Sequence, residues 1–326
     1  MILAEASAIR STLTPGLARQ FHLCLLVGGC PKPSPSATGV CRAMRTITER
    51  RSALRQVLEG ERLQVPASVF DPVSARIACE VGFAVGFLSG ALVSFARLGS
   101  PDLGLLTLDE LAAQARQVTR ATDLPILADG DHGYGNALNV RRTIEELELA
   151  GVAGVAIEDT DLPVGSGPQR LISVELACGK LRAALQARSD PSLVIIGRTS
   201  LATQARDQLA ERLEAYANVG VDGLFLTGLR SPDELVDVPP GMPLIVLAAP
   251  QVTMDSAPLL AAGVRLVLKN GHDAFVAATL AVRDSFVALA QSGPDAKGRP
   301  LADYVELSRL MGEPQAQDWL RAYDPE

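Results

Sequence analysis

Pro125-Ile126-Leu127-Ala128-Asp129-Gly130-Asp131-His132-Gly133-Tyr134-Gly135-Asn136 is the stretch on which the reading of this chain turns. A short apolar run follows a proline and ends in two carboxylates, a histidine and glycines. Such a run, bounded by turn formers, reads as a buried strand that stops at a polar end. Asp129 and Asp131 are two residues apart, a spacing that on a strand sends both side chains the same way. Two carboxylates that close repel unless a cation or hydrogen-bond donors compensate them. Carboxylate oxygens are also the ligands that hard divalent metals prefer. Asp-Gly-Asp followed by His-Gly is equally good turn chemistry, so the stretch alone leaves a metal site and a solvated loop both open. Two familiar motifs do not fit. Counted from Asp129 as the first position of a calcium loop, the fifth is Gly133, the sixth Tyr134 and the twelfth Val140, which lack the required ligands. Gly133-Tyr134-Gly135 lacks the third glycine of a dinucleotide fingerprint.

Outward from this stretch the same unit repeats. Val65–Phe70 and Ala84–Leu88 read as strands before it, and Gly154–Glu158, Leu193–Arg198, Gly223–Thr227, Leu244–Leu247 and Val264–Leu268 after it. Between and after them, helical patterns cover Pro72–Val81, Leu108–Ala121, Ala137–Ala150, Val174–Ala187, Thr203–Val219, Met254–Ala262 and Asp273–Ala290, with a short helix near Asp233. Thr107 followed by Glu110 is a capping box, and helix Ala137–Ala150 carries apolar residues at Leu138, Ile144, Leu147 and Leu149. Ser89–Leu106 reads as a loop, and an amphipathic segment, Ile47–Leu58, precedes the first strand. The strands are continuous apolar runs, as parallel strands covered on both faces are. Eight strand–helix units in about 250 residues is the count of a (β/α)8 barrel, with an open doubly wound sheet as the alternative. Barrel enzymes place chemistry at the C-terminal strand ends. Here those ends carry Ser89, Asp129 with Asp131, Glu158, Arg198, Thr227, and Asn270 with His272, a constellation that points to a metal-dependent acid site.

Composition narrows the class. Apolar residues make up 48% of the 326 and aromatics 4%, so a large core must be built from aliphatic side chains. The net charge of −7 and the absence of a basic block argue against nucleic acid or an anionic membrane as the main partner. No apolar stretch reaches membrane-spanning length. Five cysteines without a CxxC pair suggest a reducing, cytoplasmic setting with no disulfide framework; Cys79 and Cys178 fit as small core residues. Of three histidines, His22, His132 and His272, the last two each follow an apolar run directly. Residues 1–43 differ in composition and read as a disordered leader or a mis-assigned start, with the functional chain opening near Met44. The barrel domain then spans 44–292, and residues 293–326 form a helical extension with stretches around Leu301–Met311 and Pro314–Arg321.

With these residues in place, the chain resembles the isocitrate lyase / phosphoenolpyruvate mutase superfamily from about Leu54 to Leu289. The resemblance rests on Ser89-Gly90, Leu98-Gly99-Ser100-Pro101-Asp102, Ala128–Asn136, Ile157-Glu158-Asp159 and Gly197-Arg198-Thr199. His132, Glu158-Asp159-Thr160 and Lys269-Asn270-Gly271-His272 are similar to its oxaloacetate decarboxylase branch. The resemblance implies a (β/α)8 barrel, often with the last helix swapped between subunits of a dimer or tetramer. It also implies a small 2-oxo dicarboxylic acid chelated to Mg2+, with Mn2+ as a substitute. Asp129 would then bind the metal directly, and Asp131, Glu158 and Asp102 would hold its waters. Arg198 would pair the substrate carboxylate, His272 would hydrogen-bond the substrate, and Ser89, Gly90 and Ala91 would line its site, with Asp102, Arg198 and His272 as the catalytic set.

The expected reaction is Mg2+-dependent loss of CO2 from oxaloacetate through a metal-stabilised enolate, giving pyruvate; His272, Tyr134 or a metal-bound water would return the proton. Alternatives are phosphonopyruvate or phosphoenolpyruvate C–P chemistry, oxaloacetate hydrolysis, or a non-catalytic 2-oxo-acid-binding homologue. Three positions depart from the branch. Ala91 stands where a serine is usual, so that Ser89 or backbone amides would substitute. Gly130 stands where alanine is usual. The 163–170 loop is short, lacks the usual charges, and has no cysteine, which argues against isocitrate or methylisocitrate cleavage.

Overall fold

A computed structural model of the chain describes residues 45–161, 170–235, 238–249, 256–269, 271–292 and 304–323. The proposed leader, Asn270 and all of the 163–170 loop except Arg170 lie outside the described residues.

The chain enters through α1 (Ile47–Glu59), started by a capping box in which Thr46 and Glu49 satisfy each other's backbone amides. The repeating units follow: β1 (Ala67–Val69) and α2 (Pro72–Val81), then β2 (Gly86–Leu88) with a short α3 (Gly90–Val93) and α4 (Leu108–Ala121). Next come β3 (Ile126–Asp129), α5 (Ala137–Leu149), β4 (Gly154–Glu158), α6 (Val174–Ala187), β5 (Val194–Ser200) and α7 (Arg206–Val219). The set continues with β6 (Gly223–Leu229), a 3-10 turn at Pro232–Leu235, β7 (Leu244–Ala248), α8 (Ser256–Ala261), β8 (Val264–Leu268) and α9 (Asp273–Ser292). Two further helices, α10 (Tyr304–Met311) and α11 (Glu313–Tyr323), follow.

All eight strands are parallel and pair in chain order. Gln64, just before β1, closes the ring: its amide donates to Arg265 O and its carbonyl accepts from Val267 N, both at 2.9 Å. The fold is a (β/α)8 barrel, and the open-sheet alternative falls.

The apolar runs divide into two cores. Outward residues such as Ile126, Val155, Ile195 and Leu224 pack beneath the helices. Inward residues, among them Phe87, Leu127, Ala156, Ile196, Phe225 and Leu266, fill the barrel. Leu54 and Leu58 of α1 belong to the inner group, so α1 plugs the N-terminal end. Three arginines hold it there. Arg50 donates to the carbonyls of Thr119 and Thr122 at 2.6 and 2.9 Å. Arg51 reaches Val152 O at 3.2 Å and Asp190 at 2.6 Å. Arg55 reaches Ser192 O at 2.9 Å and Asp222 at 3.0 Å. The barrel is therefore sealed at the end opposite the strand ends that carry the acids.

Two readings change. Within Ser89–Leu106 the chain is helical over Gly90–Val93 and continues as a π-helical turn, Ser94–Leu98. On α5 the buried face is Val140, Thr143, Ile144 and Leu147, whereas Leu138 and Leu149 are 74% and 77% exposed.

Leu54 is fully buried, so Leu54→Ala is expected to cost about 2–5 kcal/mol of stability, measured by urea denaturation.

Candidate active site

The C-terminal strand ends surround a cavity of about 440 Å3. Its wall includes Ser68 of β1, Ser89 and Ala91 after β2, Asp129 of β3, Arg198 of β5 and Phe225 of β6. Leu247 and Ala248 of β7 and His272 after β8 complete the ring, and Asp102 sits at the exposed mouth.

Arg198 is the centre of the charged half. Its Nη1 lies 2.6 Å from each oxygen of Asp129, and its Nη2 lies 3.1 Å from Glu158 Oε2. The register makes this possible: Glu158 on β4 is the direct partner of Arg198 on β5. The guanidinium carbon is also 5.3 Å from the centroid of the Phe225 ring, a cation–π arrangement. Burial works against the charge on Arg198, but Asp129 and Glu158 outweigh it and hold the guanidinium firmly protonated. Its Nε is buried and makes no hydrogen bond within the protein.

Asp131 does not point where strand periodicity places it. β3 ends at Asp129, and Asp131 takes a left-handed conformation at φ 47°, followed by Tyr134 at φ 59°. Non-glycine residues in that region carry a cost of about 1–3 kcal/mol each and persist where surroundings over-determine them. Here Glu158 N donates to Asp131 O at 2.8 Å, and Asp131 N donates to Asp129 Oδ1 at 3.2 Å. Tyr134 OH donates to Asp131 Oδ2 at 3.1 Å. Asp131 is thus absent from the cavity wall and stands behind Gly90: a Cβ on Gly90 would come 2.7 Å from Asp131 Oδ1. Gly130 is equally constrained, since a Cβ there would meet Ile157 Cδ1 and Val155 Cγ1 at 2.8 Å. This accounts for glycine at that position.

Burial, then the charges of Asp129 and Glu158, push the Asp131 carboxyl well above its ordinary range. Burial, then the charge of Asp129, also raises Asp102. Four carboxylates therefore gather around one guanidinium, an excess of negative charge that suits a divalent cation. Among the described residues no three His, Cys, Asp or Glu side chains converge to cage an ion unaided.

Of the expected site residues, Ser89, Ala91, Asp102, Asp129, Arg198 and His272 share the cavity wall. Glu158 reaches it through Arg198, and Gly90 and Asp131 lie behind it. Tyr134, whose hydroxyl is committed to Asp131, is also off the wall. Ser68, Phe87 and Phe225 also line the cavity, and the sequence does not signal it, because apolar and small residues inside a strand look like core. Phe95, from the π-helical turn, packs edge-on to His272 with centroids 5.6 Å apart.

Comparison with known proteins follows the same lines. The family model described as phosphoenolpyruvate phosphomutase matches residues 54–290. A protein of Rhodopseudomonas palustris (strain BisB18) named oxaloacetate decarboxylase is 48% identical over 275 residues, covering 82% of this chain and 96% of that one. Oxaloacetate acetylhydrolase in complex with the inhibitor 3,3-difluorooxalacetate superposes with a TM-score of 0.76 at 27% identity, covering 86% of this chain and 98% of that one. Phosphonopyruvate hydrolase in complex with oxalate and Mg++ does so with a TM-score of 0.75 at 29% identity, covering 85% and 99%.

The Gly90–Asp131 contact is open to test by a double-mutant cycle. Gly90→Ala is expected to cost about 1–3 kcal/mol in the native background, and clearly less when Asp131→Ala has removed the carboxylate it would strike.

Proposed function

The chain belongs to the phosphoenolpyruvate phosphomutase family, and from that premise we propose that it decarboxylates oxaloacetate to pyruvate and CO2 with the help of a divalent cation. The observation that carries this reading is the Arg198–Asp129–Glu158 cluster at the strand ends, in a chain 44–49% identical to relatives named oxaloacetate decarboxylase.

Asp129 would hold the cation directly, with Asp102, Asp131 and Glu158 taking its waters; a structural neighbour's complex with oxalate and Mg++ supports Mg2+, with Mn2+ as a substitute. Bound there, a divalent ion supplies Lewis-acid stabilisation of the negative charge that gathers on a 2-oxo oxygen. Arg198 provides the anion contact. Two of its nitrogens are fixed by Asp129 and Glu158, which holds the guanidinium at the cavity wall where a substrate carboxylate would meet it. Ser89 lines the cavity beside Ala91, and its hydroxyl would serve the substrate in place of the serine that Ala91 replaces. As the C3–C4 bond breaks, its electron pair moves toward the 2-oxo group and CO2 leaves. A proton delivered to C3 completes pyruvate. His272 is better placed than Tyr134 for that delivery, since it lines the cavity.

The assembly we propose is a homo-oligomer, a dimer or tetramer. α9 exposes Val276, Leu280, Val282, Phe286, Val287 and Leu289, and an apolar groove of about 500 Å3 between α2 and the root of α9 is lined by Phe70, Ile77, Val81 and Phe83. A helix without cover and a groove without filling suit exchange between copies. No helix among the described residues is long and apolar enough to cross a membrane; the free thiols of Cys79 and Cys178 support a cytoplasmic location.

Purified protein is expected to release pyruvate and CO2 from oxaloacetate with Mg2+ and to lose that activity with a chelator; oxalate plus acetate, or no product, would refute the assignment. Asp129→Ala should abolish metal-dependent turnover with the fold intact, and Arg198→Lys should lower kcat/KM at least about tenfold. Phe286→Asp should shift the species seen by light scattering toward monomer.

A further inference from the structure

The chain holds itself together with arginine. Arg50, Arg51, Arg55, Arg188 and Arg212 make its buried and half-buried structural contacts. Lysine occurs only four times, at positions 32, 180, 269 and 297. Lys180 sits half-buried in the middle of α6, and its Nζ donates to the carbonyl of His132 at 2.8 Å. His132 lies inside the left-handed stretch of the β3–α5 turn, between Asp131 on one side and Gly133 and Tyr134 on the other, all three at positive φ. The ring of His132 is fixed as well: Nδ1 accepts from Tyr134 N at 2.9 Å.

We propose that Lys180 is a positioning residue for the metal site, holding the Asp131–Tyr134 turn by its bond to the His132 carbonyl and so fixing the direction of the Asp131 carboxylate. The idea rests on the acid-site reading above and adds a residue from outside it.

The chain of contacts is short. Lys180 fixes His132 O; His132 Nδ1 fixes Tyr134 N; Tyr134 OH fixes Asp131 Oδ2. On the other side, Thr143 Oγ1 shares its proton between Asn139 O of its own helix at 2.9 Å and Gly133 O at 3.2 Å, which ties the same turn to α5. The turn is thus gripped from α5 and α6 at adjacent carbonyls. A lysine suits the α6 grip better than an arginine. Its compact ammonium delivers one strong charge-assisted bond at the end of a thin stem, whereas a guanidinium fork would need further acceptors in the same small space. Burial works against the charge on Lys180, and Glu158 and Asp159 favour it. Partners that orient metal-binding side chains without touching the metal typically change affinity or activity about 10- to 100-fold when removed.

The test uses the full chain and Mn2+ as the probe, with binding followed by the electron paramagnetic resonance of free Mn2+ in the absence of substrate. Lys180→Met is expected to weaken Mn2+ binding about tenfold or more. At saturating Mn2+ it should lower kcat for oxaloacetate while KM changes little. Lys180→Arg should recover part of the Mn2+ affinity. Lys180→Gln, which keeps a donor but no charge, serves if the methionine variant does not fold. Native-like Mn2+ affinity in whichever of these two variants folds would overturn the proposal, as would absence of Mn2+ binding by the native chain. Because binding is measured without substrate, native protein that binds Mn2+ but leaves oxaloacetate untouched would refute the decarboxylase reading alone.

Discussion

One guanidinium in a nest of carboxylates is the constraint around which the molecule is arranged. Arg198 bonds Asp129 and Glu158 at once, and this requires three neighbouring strands to end at fixed heights. The register supplies that: Asp129 lies opposite Ala156, and Glu158 lies opposite Arg198. The barrel serves as the ruler that keeps the charges within bonding distance. The aliphatic packing on both faces of each strand keeps the ruler stiff, and removing the cation from that nest would leave acids repelling one another in a partly dry site.

Most of the fold was legible because its signals are local. The bounds of α2 and α4 follow from Asp71 with Ser74 and from Thr107 with Glu110, caps that bond their own first turns. β4 and β8 end where apolar runs end. What escaped depended on contacts distant in sequence. Gly90–Leu98 reads as a loop because Ser89-Gly90 looks like a stop, and its nine residues are too few to show a helical period. Leu138 and Leu149 looked like core because they are apolar, yet they fall outside the arc of α5 that faces the sheet.

The site shows the same division. Asp129, Glu158, Arg198 and His272 could be placed from strand ends alone. Asp131 could not be aimed, because periodicity stops with the strand and a left-handed residue sends its side chain elsewhere. Lys180 carries no such signal, because it lies mid-helix, where a lysine ordinarily faces water; its bond to the His132 carbonyl arises only in the folded chain.

The plug at the closed end of the barrel has a consequence for how the sequence is free to vary. Arg50, Arg51 and Arg55 draw many of their bonds from main-chain oxygens, those of Thr119, Thr122, Val152, Ser192 and Leu193. A carbonyl is the same whichever amino acid bears it. The three cations therefore police the path of the backbone and not its lettering: the segments they grip can drift in identity while keeping their course, and the burden of constancy falls on one short helix.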